Sequence, residues 1–241
     1  MGQLEEYIKA TQNCSSDDEL FGLFEKYLDT CQIDVHSYHI VTRKLRTLPV
    51  WVGVVNHNYP DVWANMYVRH NYISIDPIIA VARNQSQPFH WHDIGKMIRL
   101  TPEQESFLEQ LKAAGLKDGV AISTFGPHGT MAYFGLGSTR EHLNFTQLEL
   151  SILQLACQQT HLRYLELVDM NGAASHKKLS PRETEVLTNV AEGLSNIAIA
   201  EKMGVTENTV DTMLRRIFKK MDVNNRISAV LRGIGSGLIL P

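Results

Sequence analysis

Cysteine is scarce in this chain of 241 residues, and Cys14, Cys31 and Cys157 show no Cys-x-x-Cys spacing. An odd, dispersed set gives neither a disulfide scaffold nor a zinc finger, so reduced, buried thiols are the expected state. Long hydrophobic runs are missing too. No stretch approaches the roughly 18 apolar residues that a bilayer crossing needs, and Met1 opens a polar segment rather than a basic-then-apolar leader. A cytoplasmic location with no membrane partner is the expectation. There is no Gly-x-Ser-x-Gly elbow, no internal repeat and no low-complexity tract. Nor is there a general excess of positive charge, since 23 Lys and Arg face 26 Asp and Glu for a formal net of −3.

What remains is ordinary globular material, 44% hydrophobic and 20% charged, enough for one large or two modest domains. Its charge is unevenly placed. From His176 onward 10 Lys and Arg outnumber 7 Asp and Glu, whereas the part before it is acidic. A basic end on an acidic body suits a sensor joined to a nucleic-acid reader.

The basic end carries the most informative stretch, Ser195 to Asp222. SNIAIAEKMG reads as a short amphipathic helix with Ile197, Ala198, Ile199, Ala200 and Met203 on its apolar side. Gly204 stops it by allowing a left-handed cap. VTENTVDTMLRRIFKKMD reads as a second helix, with Thr206 as N-cap and Glu207 in the positively polarised first turn. Val210, Leu214, Ile217 and Met221 form one buried stripe, and Arg215, Arg216, Lys219 and Lys220 lie off it, towards solvent or a partner. Such a pair is either a plain helical hairpin with a solvated charged face or a helix-turn-helix whose second helix enters a DNA major groove.

The surrounding residues favour the second reading. About the last 65 residues, including Leu179, Arg182, Glu183, Glu185, Leu187, Gly193, Ser195, Asn196, Thr209, Val210, Asn225 and Arg226, closely resemble the four-helix DNA-binding domain of LuxR-type (GerE-like) transcription regulators. The resemblance implies that Asp211, Thr212 and Arg215 face base edges. The full set expected to meet double-stranded DNA is Thr209, Asp211, Thr212, Arg215, Arg216, Lys219, Asn225 and Arg226. One departure matters. Members often carry Lys and His where this chain has Asp211 and Met213. Arg215 could take guanine O6 and N7, whereas Asp211 would accept from a cytosine amine or repel phosphates.

Ahead of that end, residues 3–11 and 16–31 read as helices, the second capped by Ser16. SYHIVTR and WVGVVN read as strands around the polar turn KLRTLP. PDVWANMYVRH reads as a helix with Pro60 in its first turn, Asp76-Pro77 opens another, and Thr101-Pro102 a third that ends at Gly115. Residues 119–125 and 130–137 read as a hairpin, and 144–170 as one long helix. Along that helix Leu148, Ile152, Leu155, Leu162 and Leu165 keep a three-four spacing whose outward side is a candidate dimer seam. The predicted fold class is α+β. An N-terminal α/β/α sandwich with a mostly antiparallel sheet (1–170) leads through a linker (171–178) to an all-α four-helix helix-turn-helix domain (179–241).

Tyr59, Trp63, Tyr67, Asp76 and Trp91 fall in a compact window, with Trp63 and Tyr67 one turn apart on a helix. Taken singly, such aromatics are core residues and Asp before Pro is a helix cap. Together, N-Y-P-x-x-W-x-x-x-Y, S-I-D-P-I and F-H-W resemble the signal-binding domain of acyl-homoserine-lactone receptors, over about residues 16–165. The resemblance implies that Asp76 accepts from the ligand amide, Tyr59 donates to the amide carbonyl and Trp63 to the lactone carbonyl. Tyr67 and Trp91 would wall the cavity. The chemistry is coherent, because a buried carboxylate needs a donor and phenols and indoles join an apolar wall to one polar tip.

Where relatives place Ser or Thr on the inner strand, this chain has Gly135, with Ala121 on the partner strand and Tyr133 on the same face. Ala121, Tyr133 and Gly135 therefore join the expected lining. The pocket should be wider and short of one hydroxyl, suiting a bulky, long or aromatic acyl group without dependence on a 3-oxo group. His90 and His92 alternate on an expected strand and could ligate a metal, but with no Asp-rich or Cys-rich companion segment no metal site is predicted. No cofactor is expected beyond the lactone signal.

The sequence thus predicts a non-enzymatic, ligand-gated transcription regulator, binding DNA as a homodimer, with RNA polymerase a candidate further partner. Ile227, Val230, Leu231 and Ile234 on the last helix offer a second dimer contact. Two alternatives stand beside it: a phosphorylated response regulator sharing the DNA domain, and a lactone-processing enzyme fused to a reader. The first lacks strand-end aspartates and the second a nucleophile elbow.

Overall fold

Ser16, Asp76 and Thr101 each place a side-chain oxygen where the first N–H groups of a helix would otherwise go unpaired. Ser16 Oγ accepts from the Glu19 N–H, Asp76 Oδ1 from those of Ile78 and Ile79, and Thr101 Oγ1 from that of Gln104, whose side chain returns the bond. In the computed structural model, which describes residues 2–40, 54–127, 130–140, 142–172, 179–235 and 238–239, these caps start helices α2, α4 and α6 of the front unit. That unit takes residues 1–126 and 130–169, and a second contains 170–241. The expected turn 44–49 and most of the expected linker lie outside the described residues, as do parts of the two strands around that turn.

The front unit runs α1 (Gly2–Asn13), α2 (Asp17–Asp29), β1 (Val35–Ile40), β2 (Val54–His57), α3 (Asp61–Arg69) and α4 (Pro77–Ala82). It continues with β3 (Phe89–His90), α5 (Ile94–Met97), α6 (Pro102–Ala113), β4 (Asp118–Phe125), β5 (Met131–Ser138) and α7 (Gln147–Gly172). The strands form one sheet in the order β2-β1-β5-β4-β3, and each neighbouring pair is antiparallel. Side chains alternate across it. Tyr38, Val120, Ile122, Phe134 and Leu136 pack against α1, α2 and α7, while Val35, Ala121 and Tyr133 pack against α3, α4 and α6. This is the α/β/α layering with an antiparallel sheet that the sequence predicts.

Two local expectations are corrected. Pro60 is the N-cap residue of α3 rather than part of its first turn, so that end has no side-chain cap. The segment His90-Trp91-His92 is not a strand, because β3 stops at His90 and residues 91–93 form a 3-10 turn. That turn lays the Trp91 ring over Gly119 and Gly137, which face each other across β4 and β5. A Cβ on Gly119 would stand 2.5 Å from the indole, so both positions need glycine for close approach rather than for backbone freedom.

Helix α7 buries Leu153, Cys157, Tyr164 and Leu167 against the sheet, while Leu148 (69% exposed), Leu155 (57%) and Leu162 (36%) form an apolar outer stripe. Among the described residues, no helix is long and apolar enough to cross a membrane.

The second unit holds α8 (Pro181–Ala191), α9 (Asn196–Met203), α10 (Glu207–Met221) and α11 (Arg226–Gly235) around Leu187, Ile199, Val210, Leu214 and Ile217. Ser195 and Thr206 cap α9 and α10, and Gly204 ends α9 in the left-handed conformation at φ 65°. Ile197, expected on the apolar side of α9, is instead 57% exposed. Lys220, expected to face outwards, pairs at 2.6 Å with Glu183, a 5%-exposed carboxylate on α8.

Candidate functional site

Between the sheet and α3, α4 and α6 lies a cavity of about 380 Å³. Of the predicted lining, Tyr59, Trp63, Tyr67, Asp76, Trp91 and Tyr133 all border it. Ala121 and Gly135 do not. Ala121 is buried within the apolar layer. A Cβ on Gly135 would stand 2.7 Å from the Tyr133 hydroxyl and 2.8 Å from Ser37 Oγ. The expected extra width is therefore absent, and two hydroxyls occupy the place where one was thought missing. The wall at Gly135 thus gives no preference against a 3-oxo group.

Asp76 is the polar centre. Its Oδ1 caps α4 and its Oδ2 accepts from the Tyr67 hydroxyl at 2.9 Å, so one carboxylate serves a helix and a cavity together. Burial pushes its carboxyl up to about 6, against the hydrogen bonds from Tyr67, Ile79 and Ile78, which favour the charged form. At neutral pH it is mostly ionised and keeps unused acceptor capacity on Oδ2. Burial raises the phenol of Tyr59 to about 12, so it stays a neutral donor; its hydroxyl reaches Ser37 Oγ only at a long 3.4 Å.

Trp63, 3% exposed, packs edge-on to Phe107 and Tyr67, with ring centroids 5.3 and 6.0 Å apart. This mutual support fixes rings that would otherwise cost entropy to order on binding. The sum is an apolar, aromatic box with one carboxylate and several hydroxyls. It suits an uncharged guest with an N–H to give and oxygens that accept, and disfavours an anion.

Ser37, His39, Ile79, Phe107 and Leu111 also border the cavity and were not foreseen. Ser37 and His39 alternate along β1 and so share a face, a visible signal, but which face met the cavity depended on distant pairing. Burial lowers His39 to about 4, keeping its imidazole neutral.

In the second unit the predicted DNA residues divide. Arg216 and Lys219 are exposed on α10, as is Thr212, whose hydroxyl donates to the Asn208 carbonyl. Thr209 stands at the head of that helix, its hydroxyl 2.9 Å from that of Thr206. Arg215 is held by Asp211 in an exposed pair at 2.8 Å, so the unusual acid masks the arginine in the absence of DNA.

Asn225 and Arg226 hold partners within the unit. Asn225 Oδ1 accepts from the Ser228 N–H at the start of α11, and the Arg226 guanidinium donates to the Leu194 carbonyl at 2.8 Å. Asn225 is nonetheless exposed and Arg226 half-buried.

Comparison with known proteins agrees with this division. Residues 16–164 match the autoinducer binding domain, and residues 177–232 match the bacterial regulatory proteins of the luxR family. The chain is similar to the putative HTH-type transcriptional regulator y4qH of Sinorhizobium fredii, 29% identical over 76% of this chain and 56% of that one. It thus spans just over half the length of that relative. It is 27% identical to the transcriptional activator protein AnoR of Acinetobacter nosocomialis, over 98% of both chains. In fold it is similar to crystalline Escherichia coli SdiA, with a TM-score of 0.80 over 99% of this chain and 98% of that one at 22% identity. With a signal cavity in its front unit and a helix-turn-helix in its rear one, the chain belongs to the LuxR-type quorum-sensing regulators, signal-responsive DNA-binding proteins that control transcription and are not enzymes.

Proposed function

We propose that the cavity takes an N-acyl- or N-aroyl-homoserine lactone and that the occupied protein clasps a two-fold DNA site as a homodimer in the cytoplasm. One observation carries the reading: a buried, ionisable carboxylate, Asp76, with spare acceptor capacity beside an otherwise aromatic cavity. The amide N–H of the signal shares Asp76 Oδ2 with Tyr67. Tyr59 exchanges its long contact with Ser37 for the amide carbonyl, and the Trp63 indole serves the lactone carbonyl. Tyr67, Trp91 and Tyr133 enclose the rest.

The outer stripe of α7 at Leu148, Leu155 and Leu162 supplies the dimer seam, with Ile227 and Leu231 of α11 adding a contact between DNA-binding units. Two α10 helices then meet half-sites about one helical turn apart. Thr209, Asp211, Thr212, Arg215, Arg216, Lys219, Asn225 and Arg226 are the residues assigned to DNA. RNA polymerase is the partner proposed for the promoter-bound form, a reading supported by a relative named as a transcriptional activator.

Protein produced in cells fed a panel of acyl- and aroyl-homoserine lactones, then purified and extracted, should release one of them intact and near one equivalent by mass spectrometry. Recovery of no lactone from soluble protein, or of ring-opened product only, would refute the proposal.

A further inference from the structure

His90, His92 and Asp118 stand outside the cavity lining and have no part in the roles assigned above. His90 ends β3, His92 lies in the 3-10 turn that follows, and Asp118 opens β4, the strand that pairs with β3. The two imidazoles stack with centroids 4.9 Å apart. His92 Nδ1 is 3.2 and 3.3 Å from the two oxygens of Asp118. One ligating atom from each of the three residues falls within 4.8 Å of the others. A fourth group, His142 Nδ1, is 3.6 Å from Asp118 Oδ2.

We propose that His90, His92 and Asp118 form a binding site for a first-row divalent cation of the zinc kind, with His142 or water completing the shell. The spacing allows an ion, and two further facts point to one rather than to a single His–carboxylate hydrogen bond. Zn–N and Zn–O bonds of about 2.0–2.2 Å put neighbouring tetrahedral ligands roughly 3.3 Å apart, close to the His92–Asp118 distance. The carboxylate is buried and oriented from behind, Oδ1 by the Gly119 N–H at 2.8 Å and Oδ2 by the Leu143 N–H at 3.3 Å. Such outer hydrogen bonds fix metal-binding carboxylates. Finally, His90 Nδ1 is buried with no hydrogen-bond partner, an unmet need that a single His92–Asp118 bond leaves in place. The donor set of two imidazoles and a carboxylate suits Zn²⁺, Ni²⁺ or Cu²⁺ rather than Ca²⁺ or Mg²⁺.

The placement gives the ion something to do. His90 and His92 flank Trp91, whose ring rests on Gly119 and Gly137 and borders the cavity. A bound cation ties the two-residue edge strand β3 to β4 and so fixes one cavity wall. This rests on the geometry of the edge alone, and its test needs no lactone, so its failure would leave the signal assignment untouched.

Full-length protein stripped with a chelator and titrated with ZnCl2 should retain about one equivalent after dialysis and unfold at a higher temperature. The H90Q and H92Q variants should unfold like the natural chain in chelator but bind zinc at least tenfold more weakly. Cu²⁺ should quench tryptophan emission in the natural chain and less in W91F. Zinc retention by H90Q and H92Q equal to that of the natural chain, or no retained zinc at all, overturns the proposal.

Discussion

Asn in place of Asp76 separates the two jobs of that carboxylate. The amide oxygen can keep the cap bonds from the Ile78 and Ile79 N–H groups, now made by Oδ1. At the place of Oδ2, which accepts from Tyr67 at 2.9 Å, an acceptor becomes a donor. A signal presenting an N–H loses a bond to a charged group, about 1.5–3 kcal/mol, or roughly 10- to 150-fold in affinity.

The pH dependence sharpens the test. Burial raises the Asp76 carboxyl from 3.8 to about 6, so the folded chain holds that proton more tightly than the unfolded one. Stability from this group is fully present below about 4, declines as the pH rises to about 6 and is level above; the span is about 3 kcal/mol. A ligand N–H favours the ionised form, so binding should strengthen as the pH rises through about 6. D76N should lose the Asp76 contribution to both slopes, read as the difference between the two chains, because His39, lowered to about 4, adds a stability slope of opposite sign in both. Isothermal titration with the extracted lactone and chemical unfolding between pH 4 and 8 read the two effects. D76N binding within threefold of the natural chain, with the pH slopes intact, would refute the reasoning.

Other substitutions probe other links. G135S must displace the Tyr133 hydroxyl and Ser37 Oγ, overpacking that costs about 1–3 kcal/mol by thermal unfolding, and Y133F should restore only part of it, because Ser37 Oγ still stands 2.8 Å from the added Cβ. K220M strands the buried Glu183 carboxylate and should destabilise the rear unit by roughly 3 kcal/mol, while E183Q/K220M should lose less. D211A frees Arg215 from its ion pair and should tighten non-specific DNA binding, whereas R215A should weaken it and reduce the salt slope by about 1.

The rear unit was the more legible half because its signals are local. Ser195, Thr206 and Gly204 act within one turn of themselves, and Val210, Leu214, Ile217 and Met221 declare their stripe by spacing. What failed there was long range. The Lys220–Glu183 pair joins residues 37 apart and Arg226–Leu194 residues 32 apart, and no periodicity announces either.

In the front unit the aromatic window and the Asp76 cap were readable from adjacent residues. Gly135 misled because an absent side chain suggests space, and what fills space in a sheet comes from other strands, here Tyr133 and Ser37. Asp118 was unforeseeable as a companion to His90 and His92, since only the pairing of β3 with β4 brings it there.

The central claim is that a guest in the front cavity governs whether the rear helices hold DNA. It is tested most directly by DNA-binding isotherms of one preparation, with and without the extracted lactone, beside D76N. The account predicts tighter binding and a shift to dimer only in the natural chain with lactone present. Superimposable isotherms for the natural chain with and without lactone would contradict it.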